Sequence, residues 1–521
     1  MTPLSNGVQW RTVTTATSLD TPTALRPAAE SPAGPGHAYP PSPAGPADGE
    51  PLTAPPPALP VSPARQGLHF AARPMSFAIG AHRRFGDVWT LRMPMRPEGM
   101  TVSCHPDHLQ SLLKATPSDA PSLTGESPLR PILGPDSVLT AVGERHMRQR
   151  KLLLPAFHGE TVGRYVEMIR EVAEAEIDGW RPGSEFALAP RMQAVTLEVI
   201  MRGIFGMRPG EGGAMGRMRE TIRRLLHLST TPIYMLFELR NHGAREPRDL
   251  LAAMLRISDR QMYSVIRARR ADPDRERRSD VLSLLLAAHD EEGRPLSDRE
   301  LRDELMALVL AGHETTANSL AWIVERLTRT PAAYDALREA VRSGDERRGA
   351  AWIEATIHEG MRSRPVIPMI VRMVKRPWRF GEFVVGPDSA TAISILGLHH
   401  RSDLYPEPAG FRPERFLAGW RDAPSGLRRP GEDGPALVKP GADRPAFIKP
   451  GTYTWIPFGG GIRRCLGASL AMAEQRAMLA AIVRRTELSA PDPRPEAPRM
   501  RNVTMIPSHG CRVRVEARRS F

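Results

Sequence analysis

Apolar residues recurring three and four positions apart dominate this chain, and no other feature narrows its fold as far. The pattern runs through HMRQRKLLLPAF (146–157), TVGRYVEMIREVAEAEIDGW (161–180), RDLLAAMLRISDRQMYSVIRARR (248–270), SDRELRDELMALVLAGHETTANSLAWIVERLTR (297–329) and AAWIEATIHEGMR (350–362). That spacing lays one apolar stripe along a helix. Strand-like pieces are few: VWTLRMP (88–94), GMTVSC (99–104), short runs within 369–396 and a hairpin-like CRVRVEA near the end. The expected fold is mostly α with small β-sheets. With 521 residues, 41% of them hydrophobic, the chain can fill one large core or two to four ordinary ones. The pattern is continuous from about residue 65, which favours a single large domain over 61–521.

Residues 1–60 read as a tail. Thirteen prolines fall between Pro27 and Pro63, with Ala, Gly and Ser between them. Such a segment buries too little apolar surface to offset its ordering entropy, so disorder or a polyproline-like form is expected. A transit peptide over 1–26 is a minor alternative. A second Pro/Gly-rich stretch, 417–452, carries the repeat VKPG (438–441) and IKPG (448–451) and reads as a surface loop.

Three scattered cysteines, Cys104, Cys465 and Cys511, cannot form a disulfide framework, which points to a reducing compartment. No stretch reaches the roughly 18 apolar residues that span a bilayer, and the start has no secretory pattern. The expected location is cytoplasmic. Net charge is +13, with only five lysines, so arginine carries it. No nucleic-acid motif accompanies the charge. Arg145, Arg148, Lys151, Arg464 and Arg476 instead gather near the motifs below and suggest a docking surface for an acidic protein.

The run Phe458-Gly-Gly-Gly-Ile-Arg-Arg-Cys-Leu-Gly467 sets one cysteine after a glycine-rich loop, where it opens the helical segment CLGASLAMAEQRAMLAAIVRR (465–485). A sulfur at a helix N-terminus beside Arg463 and Arg464 is favoured as thiolate. Glycines let the backbone approach a flat ligand, an arrangement suited to axial ligation of haem iron. The run resembles the cysteine loop of the cytochrome P450 superfamily, F-x-x-G-x-R-x-C-x-G, with Phe458, Gly461, Arg463, Cys465 and Gly467 filling every fixed position. The resemblance extends over about 65–521. It implies the P450 fold, haem b (iron protoporphyrin IX) as cofactor and Cys465 as the metal ligand.

Other motifs take their roles from the same resemblance. In Ala311-Gly-His-Glu-Thr-Thr316, Glu314 and Thr315 correspond to the acid and alcohol that deliver protons where dioxygen is activated. His313-Glu314 is not a zinc-protease motif, because Ala317 stands where a second His is required. Glu359 and Arg362, three apart on a helix, would join Arg415 of Phe411-Arg-Pro-Glu-Arg-Phe416 in a buried structural triad. His146 and Arg150, with Arg372 and Arg463, match the groups that hold the haem propionates. Phe458 and Gly467 complete the cofactor-binding set. Apolar substrate walls are sought at 118–140, 228–240, Met306–Leu310, 366–370 and Val503–Ile506.

The resemblance implies a soluble, bacterial-type haem-thiolate monooxygenase that inserts one atom of O2 into a hydrophobic small molecule. No flavin or nicotinamide fingerprint is present, so electrons come from a separate ferredoxin or flavodoxin and its reductase. No nucleic acid and no membrane span are expected. Three other readings stay open: a peroxide-driven or non-O2 haem-thiolate enzyme, a non-catalytic haem sensor, and a basic nucleic-acid binder.

Overall fold

The computed structural model describes residues 39–123, 129–157, 159–208, 210–228, 246–418 and 446–519. Residues 1–38, most of the 228–240 segment, part of the 118–140 loop and the repeat VKPG lie outside the described residues.

Six helices carry the site: α1 (Pro106–Lys114), α2 (Gly143–Leu153), α3 (Leu188–Phe205), α4 (Asp298–Thr328), α5 (Glu346–Ser363) and α6 (Ala468–Arg485). Their ends follow local chemistry. Ser297 and Glu300 close a capping box on α4, and Asp345 caps α5 through the N–H groups of Arg347 and Arg348. The continuous pattern 146–157 breaks into α2 and a 3-10 turn, Leu154–Phe157, because Pro155 has no N–H to continue the ladder.

Helix α4 runs between two cores. Its first half, including Leu301, Leu305 and Val309, packs in one. Its second half, including Ala317, Leu320 and Leu327, packs in the other. Between them Ala311 is exposed and Gly312, Glu314 and Thr315 are only half-buried. Against its side lies α3, which comes so close that a Cβ on Gly312 would stand 3.2 Å from Ile200 Cδ1. Thr196 Oγ1 also donates to the His313 carbonyl at 2.7 Å. Gly312 therefore serves helix packing.

The sheets are small. β2 (Val88–Met93), β3 (Arg96–Ser103), β8 (Ser389–Ser394) and β5 (Met369–Val374) form one in that order, with only β3–β8 parallel. β1 (Ala44–Pro46) pairs with β6 (Trp378–Phe380), which pairs with β7 (Phe383–Val385). β4 (Glu185–Ala187) and β9 (Thr486–Ser489) flank β12 (Arg512–Arg518), so the last segment is a central strand rather than a hairpin. β10 (Pro498–Arg501) and β11 (Thr504–Pro507) make a two-stranded hairpin.

The expected boundary at residue 60 is too late. Residues 39–60 are part of the fold: Ser42 N donates to Asp107 Oδ2 at 2.9 Å, and Thr90 Oγ1 donates to the Pro56 carbonyl at 2.7 Å. Arg376 and Arg379 pair with Asp48 and Glu50. Proline-rich chain can do this at a sheet edge, where half of the backbone needs no partner. The 417–452 segment is likewise pinned at its ends, since Ala418 N donates to Ala446 O at 2.7 Å and Ile448 N to Phe416 O at 2.8 Å.

Candidate active site

The cysteine loop turns tightly on its glycines. Gly459 and Gly461 adopt φ of +66° and +61°, a region closed to most side chains. A Cβ on Gly461 would lie 2.5 Å from the Leu113 carbonyl oxygen, and one on Gly460 2.5 Å from Leu113 Cδ1. Gly460 and Gly461 let the loop close onto α1. Cys465 N donates to the Phe458 carbonyl at 2.9 Å and fixes the loop.

Helix α6 begins at Ala468 with Gly467 at its cap, so Cys465 sits in the preceding turn rather than at the helix start. Its side chain keeps accessible surface. Burial pushes the thiol up, while the Gly467 N–H and the charges of Arg150 and Arg464 favour the thiolate. Cys104 and Cys511 are fully buried, and burial pushes both thiols well up.

A cavity opens beside this loop. Its lining includes Ile462 and Arg463 of the loop, Leu112 and Leu113 of α1, His146 of α2 and Arg372 of β5. Among the described residues no carboxylate lines it. Arg372 is 7% exposed, spends one N–H on the Val371 carbonyl, and is pushed down to about 10 by burial. Arg463 gives its fork to the carbonyls of Val138 and Ala141. Burial, with Arg463, Arg150 and Arg372 around it, drives His146 down to about 3, so it is neutral. Two guanidinium groups and a neutral imidazole without an acid among them suit an anionic ligand. Carboxylates of a haem fit this donor set, and Cys465 belongs to the same loop. Arg150 Nη1 donates to the Arg464 carbonyl at 2.7 Å, so it also braces the cysteine loop.

Glu314 and Thr315 are neighbours on α4 but differ in their surroundings. Thr315 Oγ1 donates to the Ala311 carbonyl at 2.6 Å, a bond back along its own helix. Glu314 is ion-paired with Arg501, Nη2 to Oε1 at 2.5 Å. That partner lies 187 residues away, and no local pattern ties it to Glu314.

Glu359, Arg362 and Arg415 meet with no exposed surface. Arg362 Nε and Nη2 donate to the two Glu359 oxygens at 2.7 Å each, and Arg415 Nε reaches Oε1 at 3.3 Å. Arg362 also donates to the carbonyls of His399, Pro408 and Gly410. The backbone N–H of Arg412 adds to Glu359 Oε1 at 2.8 Å. Two further bonds carry this bracing to the cysteine loop: Ile456 N donates to His399 Nε2 at 3.0 Å and Tyr405 Oη to the Thr454 carbonyl at 2.8 Å. His399 and Tyr405 were not foreseen; neither stands in a recognisable motif.

The expected basic docking surface is largely neutralised. Arg145 pairs with Asp136, Lys151 with Glu291 and Arg476 with Glu354. Arg148 lies between Asp290 and Glu300, 2.7 Å from each. Of the five, only Arg464 makes no ion pair among the described residues. Arg148→Glu would put a third carboxylate beside two others, at the cap of α4. It is expected to lower the unfolding midpoint by several degrees, whereas Arg464→Glu leaves it near wild type. Calorimetry of both variants checks this, and equal midpoints would return Arg148 to the docking surface.

Among the apolar walls sought, Met306 and Val309 are buried in the core while Leu308 and Leu310 are partly open. The run 366–370 and the β10–β11 hairpin are joined by Met505 N donating to the Val366 carbonyl at 2.6 Å.

Among the described residues no helix is long and apolar enough to cross a membrane. The family model for "Cytochrome P450" matches residues 54–513. "Putative cytochrome P450 137" of Mycobacterium tuberculosis is 34% identical over 471 residues, covering 88% of this chain and 90% of its own length. "Putative cytochrome P450 135B1" of the same organism is 33% identical over 453 residues, covering 85% and 88%. Among solved structures, "Retinoic acid bound cyanobacterial CYP120A1" superposes with a TM-score of 0.70 at 20% identity, covering 89% of this chain and all of that one, a likeness of fold. The chain belongs to the cytochrome P450 family of haem-thiolate monooxygenases.

Proposed function

We propose that the protein inserts one oxygen atom from O2 into a hydrophobic small molecule in the cytoplasm, with haem b held by Cys465 and electrons delivered by a ferredoxin or flavodoxin and its reductase. The observation that carries this reading is the acid-free cavity of His146, Arg372 and Arg463, to which the loop bearing Cys465 contributes. His146, Arg372 and Arg463 would hold the propionates, and Cys465 the iron. The bound haem supplies the oxygen chemistry, and its thiolate ligand adds electron density that favours O–O cleavage.

The chain's own residues supply orientation and protons. Glu314 and Thr315, neighbours on α4, would be the acid and the hydroxyl of the proton relay: the Thr315 hydroxyl, which at rest donates to the Ala311 carbonyl, would turn to hand on its own hydrogen as it takes one up. Apolar faces at Leu308, Leu310, 366–370 and Val503–Ile506 exclude water and hold the substrate. The paucity of charge on these faces supports a hydrophobic substrate. Unpaired cysteines support a reducing compartment.

Thr315→Ala removes the hydroxyl without touching the buried core. Haem content is expected to stay near wild type while reducing equivalents are diverted several-fold into hydrogen peroxide. The ratio of peroxide formed to electrons consumed checks this, and an unchanged ratio would sink the proton-delivery role.

A further inference from the structure

A hairpin grips the acid of α4 from one side. Arg501 of β10 and Thr504 of β11 stand directly opposite each other, joined by the two-residue turn Asn502–Val503. Asn502 has φ of +52°, a conformation that tight hairpin turns require and asparagine tolerates. Cross-strand neighbours share a face of the hairpin, and here both reach one atom. Arg501 Nε and Nη2 donate to Glu314 Oε1 at 3.1 and 2.5 Å. The Thr504 hydroxyl is 3.2 Å from the same oxygen and is shared with the Arg501 carbonyl at 2.9 Å. Asn318, one helical turn along α4, adds an N–H at 3.3 Å. None of these donors goes to Oε2.

We propose that Arg501 is the positioning residue for Glu314. Its guanidinium fork, with Thr504 beside it, gathers on Oε1 and holds that end of the carboxyl group in place, leaving Oε2 for proton exchange with Thr315. Glu314 is the only ion-pair partner of Arg501 among the described residues. A planar fork that places two N–H groups on one oxygen holds it more firmly than a lysine ammonium on its flexible stem. The turn Asn502–Val503 sets the spacing between the two donors, and the Met505–Val366 bond ties the hairpin to the 366–370 segment. Arg501 touches none of the reacting atoms and acts only through Glu314.

The inference rests on the reading of Glu314 as the proton-delivering acid, and its test separates the two. Haem-loaded Arg501→Gln, Arg501→Lys, Thr504→Val, Glu314→Gln and the Glu314→Gln/Arg501→Gln double variant are compared. The assay uses dodecanoic acid as apolar probe with a plant-type ferredoxin and its reductase. Haem content, unfolding midpoint, peroxide yield per electron and the solvent deuterium effect on oxygen uptake are measured. The expected result is a several-fold rise in peroxide yield for Arg501→Gln at unchanged haem content, with an altered solvent isotope effect. Arg501→Lys should fall between Gln and wild type, and the double variant should match Glu314→Gln alone. The loss in unfolding midpoint should be non-additive for the pair. A normal peroxide yield in Arg501→Gln while Glu314→Gln leaks peroxide overturns the positioning role and leaves the acid's role standing. Normal yield in Glu314→Gln removes the acid's role and, with it, Arg501's. Equal added leakage from Arg501→Gln in both backgrounds also overturns it, because Arg501 would then act without Glu314. Should Arg501→Gln not retain haem, Arg501→Lys and Thr504→Val carry the same comparison.

Discussion

Arg362→Ala is expected to yield protein that does not retain haem. The side chain has no exposed surface, and it makes two bonds to Glu359 and three to backbone carbonyls. Removing it strips the Glu359 carboxylate of its main partner and orphans the carbonyls of His399, Pro408 and Gly410. Breaking a buried pair from one side costs about 3–5 kcal/mol, a large share of the stability of an ordinary domain. The damage lies at the start of a path that runs through His399 to Ile456 and through Tyr405 to Thr454, and so to the loop that presents Cys465. Arg362→Lys is not conservative here, since three donors on a flexible stem cannot replace a fork that meets two carboxylate oxygens and three carbonyls. By contrast Arg170, paired with Glu167 and Glu174 on an exposed helix face, should tolerate Ala with little effect. Haem content per protein, read from absorbance, decides the matter. Full incorporation in Arg362→Ala would mean that the buried cluster does not brace the cysteine loop.

Some of this was legible in the residues and some was not, for physical reasons. The cysteine loop and the pair Glu359–Arg362 could be read because their chemistry sits within a few consecutive positions. Arg415 needed only the nearby 411–416 run. Helix periodicity located α4 closely, and the box Ser297–Glu300 fixed its start. What could not be read depends on distant segments meeting. The Glu314–Arg501 pair joins a helix to a hairpin near the other end of the domain. The surroundings of Gly460 and Gly461 are set by Leu113, which no local pattern ties to them. Arg148 looked like free charge until Asp290 and Glu300 closed on it. Composition misjudged residues 39–60, because proline content speaks to a chain alone and not to one laid on a sheet edge. The start of α6 was placed three residues early because the run from Cys465 onward is rich in helix formers, whereas Gly467 holds the cap.

Cys465→His is expected to abolish monooxygenase turnover and the thiolate spectrum of the haem. Cys465 is the cysteine we assign as the ligand. Cys104 is fully buried with its sulfur 3.2 Å from His82 Nδ1. Cys511 is fully buried with its backbone N–H on Glu496. Both thiols are held up by burial and by nearby carboxylates, Asp87 for the first and Glu325 and Glu496 for the second. A thiolate is the ligand form of cysteine, and Cys465 has a backbone N–H and two arginines drawing it that way with no carboxylate opposing them. Histidine would keep a ligand at this point of the loop while removing the sulfur, so the variant tests the sulfur rather than the loop. The most direct measurement is the absorbance difference spectrum of the reduced protein with carbon monoxide. Wild type should show the red-shifted Soret band of a thiolate-ligated haem, Cys104→Ser and Cys511→Ser should keep it, and Cys465→His should lose it. A red-shifted band that survives in Cys465→His would contradict the assignment of Cys465 and the account of the loop built on it.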